Sequence, residues 1–150
     1  MSTNTILPKR NTNIPASYLV LIKDAKVLLL QRKNTGFMDG WYSFIAGHAD
    51  KGESFTQAAV REAREEAGLE LDPKKIKVSH MMHRNSDDSV RMDVFFTVES
   101  WKGTLENREP EKCSDLSWFF LEDLPEKTIP YIRDALNYIR AGISYSEYGW

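Results

Sequence analysis

Glu62, Glu65 and Glu66 stand at i, i+3 and i+4 in a stretch running from Gly47 to Leu69, and no other feature restricts the fold as much. Residues so spaced share one face of an α-helix, so the stretch predicts a helix with three carboxylates side by side. The sequence also marks its ends. Ser54 and Gln57 form a capping-box pair and Gly68 supplies the stop, which bounds the helix at Ser54 to Ala67. Phe55, Ala58, Ala59, Ala63 and Ala67 give it an apolar side that must lie on something, while Arg61, Glu62, Arg64, Glu65 and Glu66 crowd the rest. On spacing alone the acidic run reads as a solvated face laced with ion pairs. Beside a glycine-bearing loop it also makes an oxygen-rich place for hard divalent cations.

The flanking sequence predicts the surface on which that helix rests. Tyr18–Ile22 and Val27–Leu30 are short apolar runs around Lys23–Lys26, a hairpin of buried strands. Asn34–Gly40 is a loop, and Trp41–Ala46 a third strand running into Gly47. Ile76–His83 and Val90–Val98 are strands about a turn at Ser86–Ser89; in the second, Met92, Val94, Phe96 and Val98 alternate with Arg91, Asp93, Phe95 and Thr97. Leu116–Phe120 is a last strand. Thr128 then caps a second helix to about Ala141, with Ile132, Ala135, Leu136 and Ile139 on one face and Gly142 as its stop. Strands, helix, strands and helix predict an α+β domain with two helices packed on sheet.

The 150 residues suit one domain, expected at residues 16–141. Residues 1–15 read as a flexible polar tail. Residues 142–150, with Tyr145, Tyr148 and Trp150, read as a tail folded back onto the domain, a dimer contact being the second reading. A net charge of −2 argues against a stable nucleic-acid partner or an anionic membrane. The single cysteine, Cys113, excludes an internal disulfide and suits a reducing compartment. No apolar run approaches the ~18 residues of a membrane span, and the first fifteen residues lack the apolar core of a secretory signal. The expected location is cytoplasmic.

Gly47, Glu53, Arg61, Glu62, Glu65, Glu66, Gly68 and Leu69 coincide in identity and spacing with the pattern G-x5-E-x7-R-E-U-x-E-E-x-G-U, with Ala63 a small residue at the first U. The segment resembles the box of the Nudix hydrolases, MutT among them. The resemblance extends over about Ala16 to Ala141 and implies a Nudix fold, a mixed sheet sandwiched between helices. Ile45-Ala46 stands where many relatives have Pro-Gly.

The resemblance implies that Glu62, Glu65 and Glu66, with the Gly47 carbonyl, hold Mg²⁺ or Mn²⁺. Glu62 is also the candidate base for the attacking water. Arg61 would orient a glutamate, and Glu53 would brace the loop–helix junction through Arg61. A further carboxylate outside the box often completes such sites, and Glu109 and Glu111 are candidates in a loop between strands. Phe37, Trp118, Phe119 and Tyr131 are candidates to stack on a base, and Arg32 and Lys33 to meet phosphate. His80 and His83, three apart on a strand, make a poor metal pair. His48 reads as incidental, and Cys113 as a thiol without a catalytic motif.

The implied activity is cleavage of a pyrophosphate bond in a small nucleoside diphosphate derivative by metal-activated water. The markers that relatives specialised for ADP-ribose or dinucleoside polyphosphates carry past the box are replaced here by Arg84, Asn85, Ser86 and Asp87. That and the short chain favour a (d)NTP, cut to a nucleoside monophosphate and pyrophosphate. An ADP-ribose or nucleotide-sugar pyrophosphatase and a non-catalytic nucleotide-binding domain are the alternatives, with an interaction domain bearing a solvated acidic helix as the third reading. Monomer and homodimer both stay open.

Overall fold

A computed structural model describes residues 6–150. Residues 6–13 are exposed and without regular structure, and residues 1–5 of the expected tail lie outside the described residues. The chain then forms β1 (Ile14–Lys23), β2 (Lys26–Arg32), β3 (Tyr42–Ser43), β4 (Ile45–His48), α1 (Phe55–Ala67), β5 (Lys77–Asn85), β6 (Val90–Val98), β7 (Cys113–Phe120), α2 (Pro130–Arg140) and β8 (Tyr145–Tyr148).

β1 is the spine. Its first residues run parallel to β6 on one side and antiparallel to β4 on the other; its end turns through Asp24-Ala25 into β2, which carries β7 and β3. β5 pairs antiparallel with β6, and β8 joins β5 in parallel. Side chains alternate across β1, so Tyr18 and Val20 enter one apolar layer with Ile132, Ala135 and Leu136 of α2. Leu19 and Leu21 enter the other, with Ala59, Ala63 and Ala67 of α1. Both faces of the sheet are therefore covered, the α/β/α sandwich expected of the Nudix fold. No helix among the described residues is long and apolar enough to cross a membrane.

α1 has the expected ends. The Ser54 hydroxyl accepts from the Gln57 amide at 3.1 Å, the Gln57 side chain accepts from the Ser54 amide at 2.8 Å, and Gly68 is left-handed at φ 71°. The α2 cap differs from expectation. Thr128 lies outside the helix and donates to the Pro125 carbonyl at 2.7 Å, while Ile129 holds the cap position without a side-chain bond. Pro130 starts the helix instead, its fixed φ already helical. The stretch expected as one strand at Trp41–Ala46 is broken at Phe44, because β3 pairs with β2 and β4 with β1. Ile14 and Pro15, assigned to the tail, belong to β1. Residues 145–148 form an edge strand that periodicity did not show.

Candidate active site

The Arg61 guanidinium holds the start of α1 together. It donates to both oxygens of Glu53 at 2.8 and 2.9 Å, to Glu62 Oε1 at 2.7 Å, to Glu65 Oε2 at 3.1 Å and to the His48 carbonyl at 3.1 Å. One planar fork thus ties the loop, the helix and the end of β4. Glu53 in turn accepts from the Asp50 amide at 3.0 Å. The hydrogen bonds from Arg61 hold its carboxyl down at about 2.

Glu62 and Glu66 face the sheet rather than solvent. Burial pushes both carboxyls above the ordinary range; for Glu66 the rise is large, with Glu62 and Glu109 nearby adding to it. Glu66 Oε2 is buried without a hydrogen-bond partner. Gly47 leaves room for Glu62: a β-carbon at that position would fall within 2.6 Å of Glu62 Cγ and closer still to its carboxylate.

These groups line a cleft of about 590 Å³. Glu62, Glu65, Glu66 and Glu109 line it together with Arg32, Asn34, Thr35 and Lys112, and Leu30, Phe44, Ile45 and Leu116 are among its apolar residues. Hard oxygen donors of this kind suit Mg²⁺ or Mn²⁺, and a buried carboxylate oxygen with no partner is a position a cation would satisfy. The fit is one of donor chemistry in an open cleft. Among the described residues no three His, Cys, Asp or Glu side chains already converge as a metal cage, and Arg61 holds oxygens of Glu62 and Glu65.

The other expected site residues divide. Arg32 and Glu109 line the cleft. Glu111 is exposed outside it, its carbonyl accepting from the Asn34 side chain at 3.2 Å. Phe37 is exposed and lies against the Arg32 guanidinium, 5.4 Å from the ring centre. Three aromatic candidates pack in the core layers instead. Trp118 stacks on Trp101 at 5.7 Å on the α1 side. Phe119 meets Tyr42 edge-on at 5.0 Å, and Tyr131 is buried against Tyr18 on the α2 side.

Three features escaped the sequence reading. Asn34, Thr35 and Lys112 line the cleft; a glycine-bearing loop opposite a charged turn was the available signal. Asp93 is fully buried and accepts from Arg84 Nε at 2.6 Å, because β6 is central and covered on both faces. His48 does have a partner: its Nε2 lies 2.9 Å from Arg91 Nη1, while burial and that arginine lower its pKa. The Cys113 thiol lines the cleft, pushed up by burial and far from a reactive thiolate. His80 is buried, bonded to the Ile143 carbonyl and to Ser146 Oγ at 2.7 Å each.

The sequence pattern of the NUDIX domain matches residues 13–138. Among curated proteins, the chain is 31% identical over 109 residues to the NAD-capped RNA hydrolase NudC of Stutzerimonas stutzeri (strain A1501). That match takes in 73% of this chain and 37% of the relative, so the chain spans little more than a third of the relative's length. Among solved structures, a MutT NUDIX hydrolase from Burkholderia pseudomallei superposes with a TM-score of 0.78 at 22% identity, over 85% of this chain and 98% of that one. An ADP compounds hydrolase superposes with a TM-score of 0.68 at 24% identity, over 88% and 74%. Both share the fold.

Proposed function

The chain belongs to the Nudix family, and from that premise we propose that it is a divalent-metal-dependent hydrolase cutting a pyrophosphate bond in a nucleoside diphosphate derivative, in the first place a (d)NTP. The observation that carries this reading is the cleft that Glu62, Glu65, Glu66 and Glu109 all line, in which a Glu66 oxygen is buried without a partner. A surface helix laced with ion pairs has no reason to bury a carboxylate in this way.

Glu62, Glu65, Glu66 and the Gly47 carbonyl are the groups that would hold the ion, with Glu109 the candidate outside the box. A bound divalent cation neutralises phosphate charge and acidifies coordinated water. Glu62, its basicity raised by burial, is the candidate that would accept a proton from the attacking water. Arg61 and Glu53 position it, because the fork of hydrogen bonds sets where the Glu62 and Glu65 oxygens lie.

The curated relative named for NAD-capped RNA favours a second reading, cleavage of a diphosphate flanked by two nucleosides. A panel of (d)NTPs, ADP-ribose and NAD, assayed with Mg²⁺, with Mn²⁺ and with chelator, separates the two, with phosphate and pyrophosphate measured independently. Metal-dependent release of pyrophosphate from triphosphates is expected. No turnover of any of these with either metal would overturn the hydrolase reading.

A further inference from the structure

The loop between β6 and β7 closes the end of α1. A helix leaves its last carbonyls without partners of their own, and this loop supplies donors to them. The Arg108 amide donates to the Glu66 carbonyl at 3.2 Å and the Glu106 amide to the Ala67 carbonyl at 3.1 Å. The Arg108 side chain reaches the Arg64 carbonyl at 3.4 Å. Just beyond the helix, Glu70 and Lys102 exchange both of their backbone bonds, at 2.9 and 3.0 Å. Glu109, next in the chain to Arg108, lines the cleft with Glu62, Glu65 and Glu66. A carboxylate distant in sequence is thus tied to the backbone of the helix that carries the others.

Asn107 secures the turn on which Glu109 sits. Its Oδ1 accepts from the Glu109 amide at 3.1 Å, and its Nδ2 donates to the Cys113 carbonyl at 2.7 Å. The Glu109 carbonyl in turn accepts from the Lys112 and Cys113 amides at 2.9 Å each. One side chain therefore joins both ends of the turn from Glu109 to Cys113, although it does not itself line the cleft. The task needs a donor and an acceptor on one short side chain, which a carboxylate or a hydrocarbon of that size lacks.

We propose that Asn107 is a positioning residue for the metal site: by stapling this turn it fixes the backbone of Glu109, so that the Glu109 carboxylate meets the same cation as the glutamates of α1. This role deepens the hydrolase reading and rests on it for the cation. Outer partners that orient a ligand typically carry about 10–100-fold in metal affinity or activity.

The test is a double-mutant cycle on Mn²⁺ affinity, read by electron paramagnetic resonance, and on kcat for the best substrate of the nucleotide panel. The proteins are the wild type, Asn107→Ala, Glu109→Gln and the double variant, each with its melting temperature. Asn107→Ala should weaken Mn²⁺ and lower kcat about tenfold. It should add little to the loss in Glu109→Gln, because a staple without its carboxylate has nothing to place. Asn107→Ser keeps an oxygen for the Glu109 amide; it should recover part of both, and it carries the cycle if Asn107→Ala fails to fold. Asn137→Ala, the same change at an exposed position of α2, should move neither. Losses that add in full overturn the role of Asn107, as do an unchanged Mn²⁺ affinity and kcat in Asn107→Ala, or a Glu109→Gln protein that binds Mn²⁺ like the wild type. If the wild type hydrolyses no nucleotide, the hydrolase reading fails, and the Mn²⁺ cycle still decides the role of Asn107 by itself.

Discussion

The carboxylate of Glu62 lies directly over the Cα of Gly47, in space that any side chain at residue 47 would fill. The end of β4 and the first turns of α1 can approach this closely because residue 47 has no β-carbon. Gly47→Ala should therefore expel Glu62 from its position while leaving both apolar layers intact. A displacement of about 1 Å can cost ~100-fold in turnover, so kcat should fall by about that factor with the melting temperature little changed. A fully active Gly47→Ala enzyme would show that the contact is unnecessary.

Glu66 sets stability against activity. Burial raises its carboxyl, so the folded chain prefers the protonated form. That stabilisation is therefore present at low pH and is lost as pH rises through the folded-state pKa. In chelator at pH 8, Glu66→Gln should be more stable than the wild type, and at pH 4 the two should be close. Turnover should drop by orders of magnitude. Mg²⁺ should stabilise the wild type far more than it stabilises Glu66→Gln. Urea denaturation with and without metal measures each of these; a Glu66→Gln protein less stable than the wild type at pH 8 would contradict the burial argument.

Glu53 works in the opposite direction. Its carboxyl is lowered from 4.5 to about 2 by Arg61, so the folded state binds fewer protons than the unfolded state between those values. The contribution is complete above 4.5 and disappears as pH falls towards 2. Glu53→Gln should flatten that part of the pH–stability curve and lower kcat by loosening Arg61. Thermal melts between pH 2 and 6 provide the check. An unchanged slope would separate the ion pair from stability.

Arg84 and Asp93 form a buried pair, with side chains 5% and 0% exposed. Removing one partner strands the other, which typically costs about 3–5 kcal/mol. Asp93→Ala should melt well below the wild type, and replacing both residues by apolar ones should recover much of the loss. A near-neutral Asp93→Ala would show that the site admits water freely.

Local signals were the legible ones. The ends of α1 follow from Ser54, Gln57 and Gly68 because a cap is a bond between near neighbours. The i, i+3, i+4 glutamates followed from helical period, as did the apolar face of α2. What escaped depends on distant pairing. Asp93 sits in an alternating pattern suited to a half-exposed strand, yet β1 and β5 enclose β6 and the polar side is buried too. Lys112 reaches the cleft through a bond to Lys33 that no periodicity reveals. Trp118, Phe119 and Tyr131 are aromatic whether they stack on a ligand or fill a layer, and only the sheet order decides which.

β8 lies along β5, with Trp150 donating to the His83 carbonyl at 2.9 Å and His80 anchoring the approach through Ile143 and Ser146. Those last residues act as a hem. Cut away after Gly142, they would leave the amides and carbonyls of β5 open to the same strand of a neighbouring molecule, inviting filaments or precipitate.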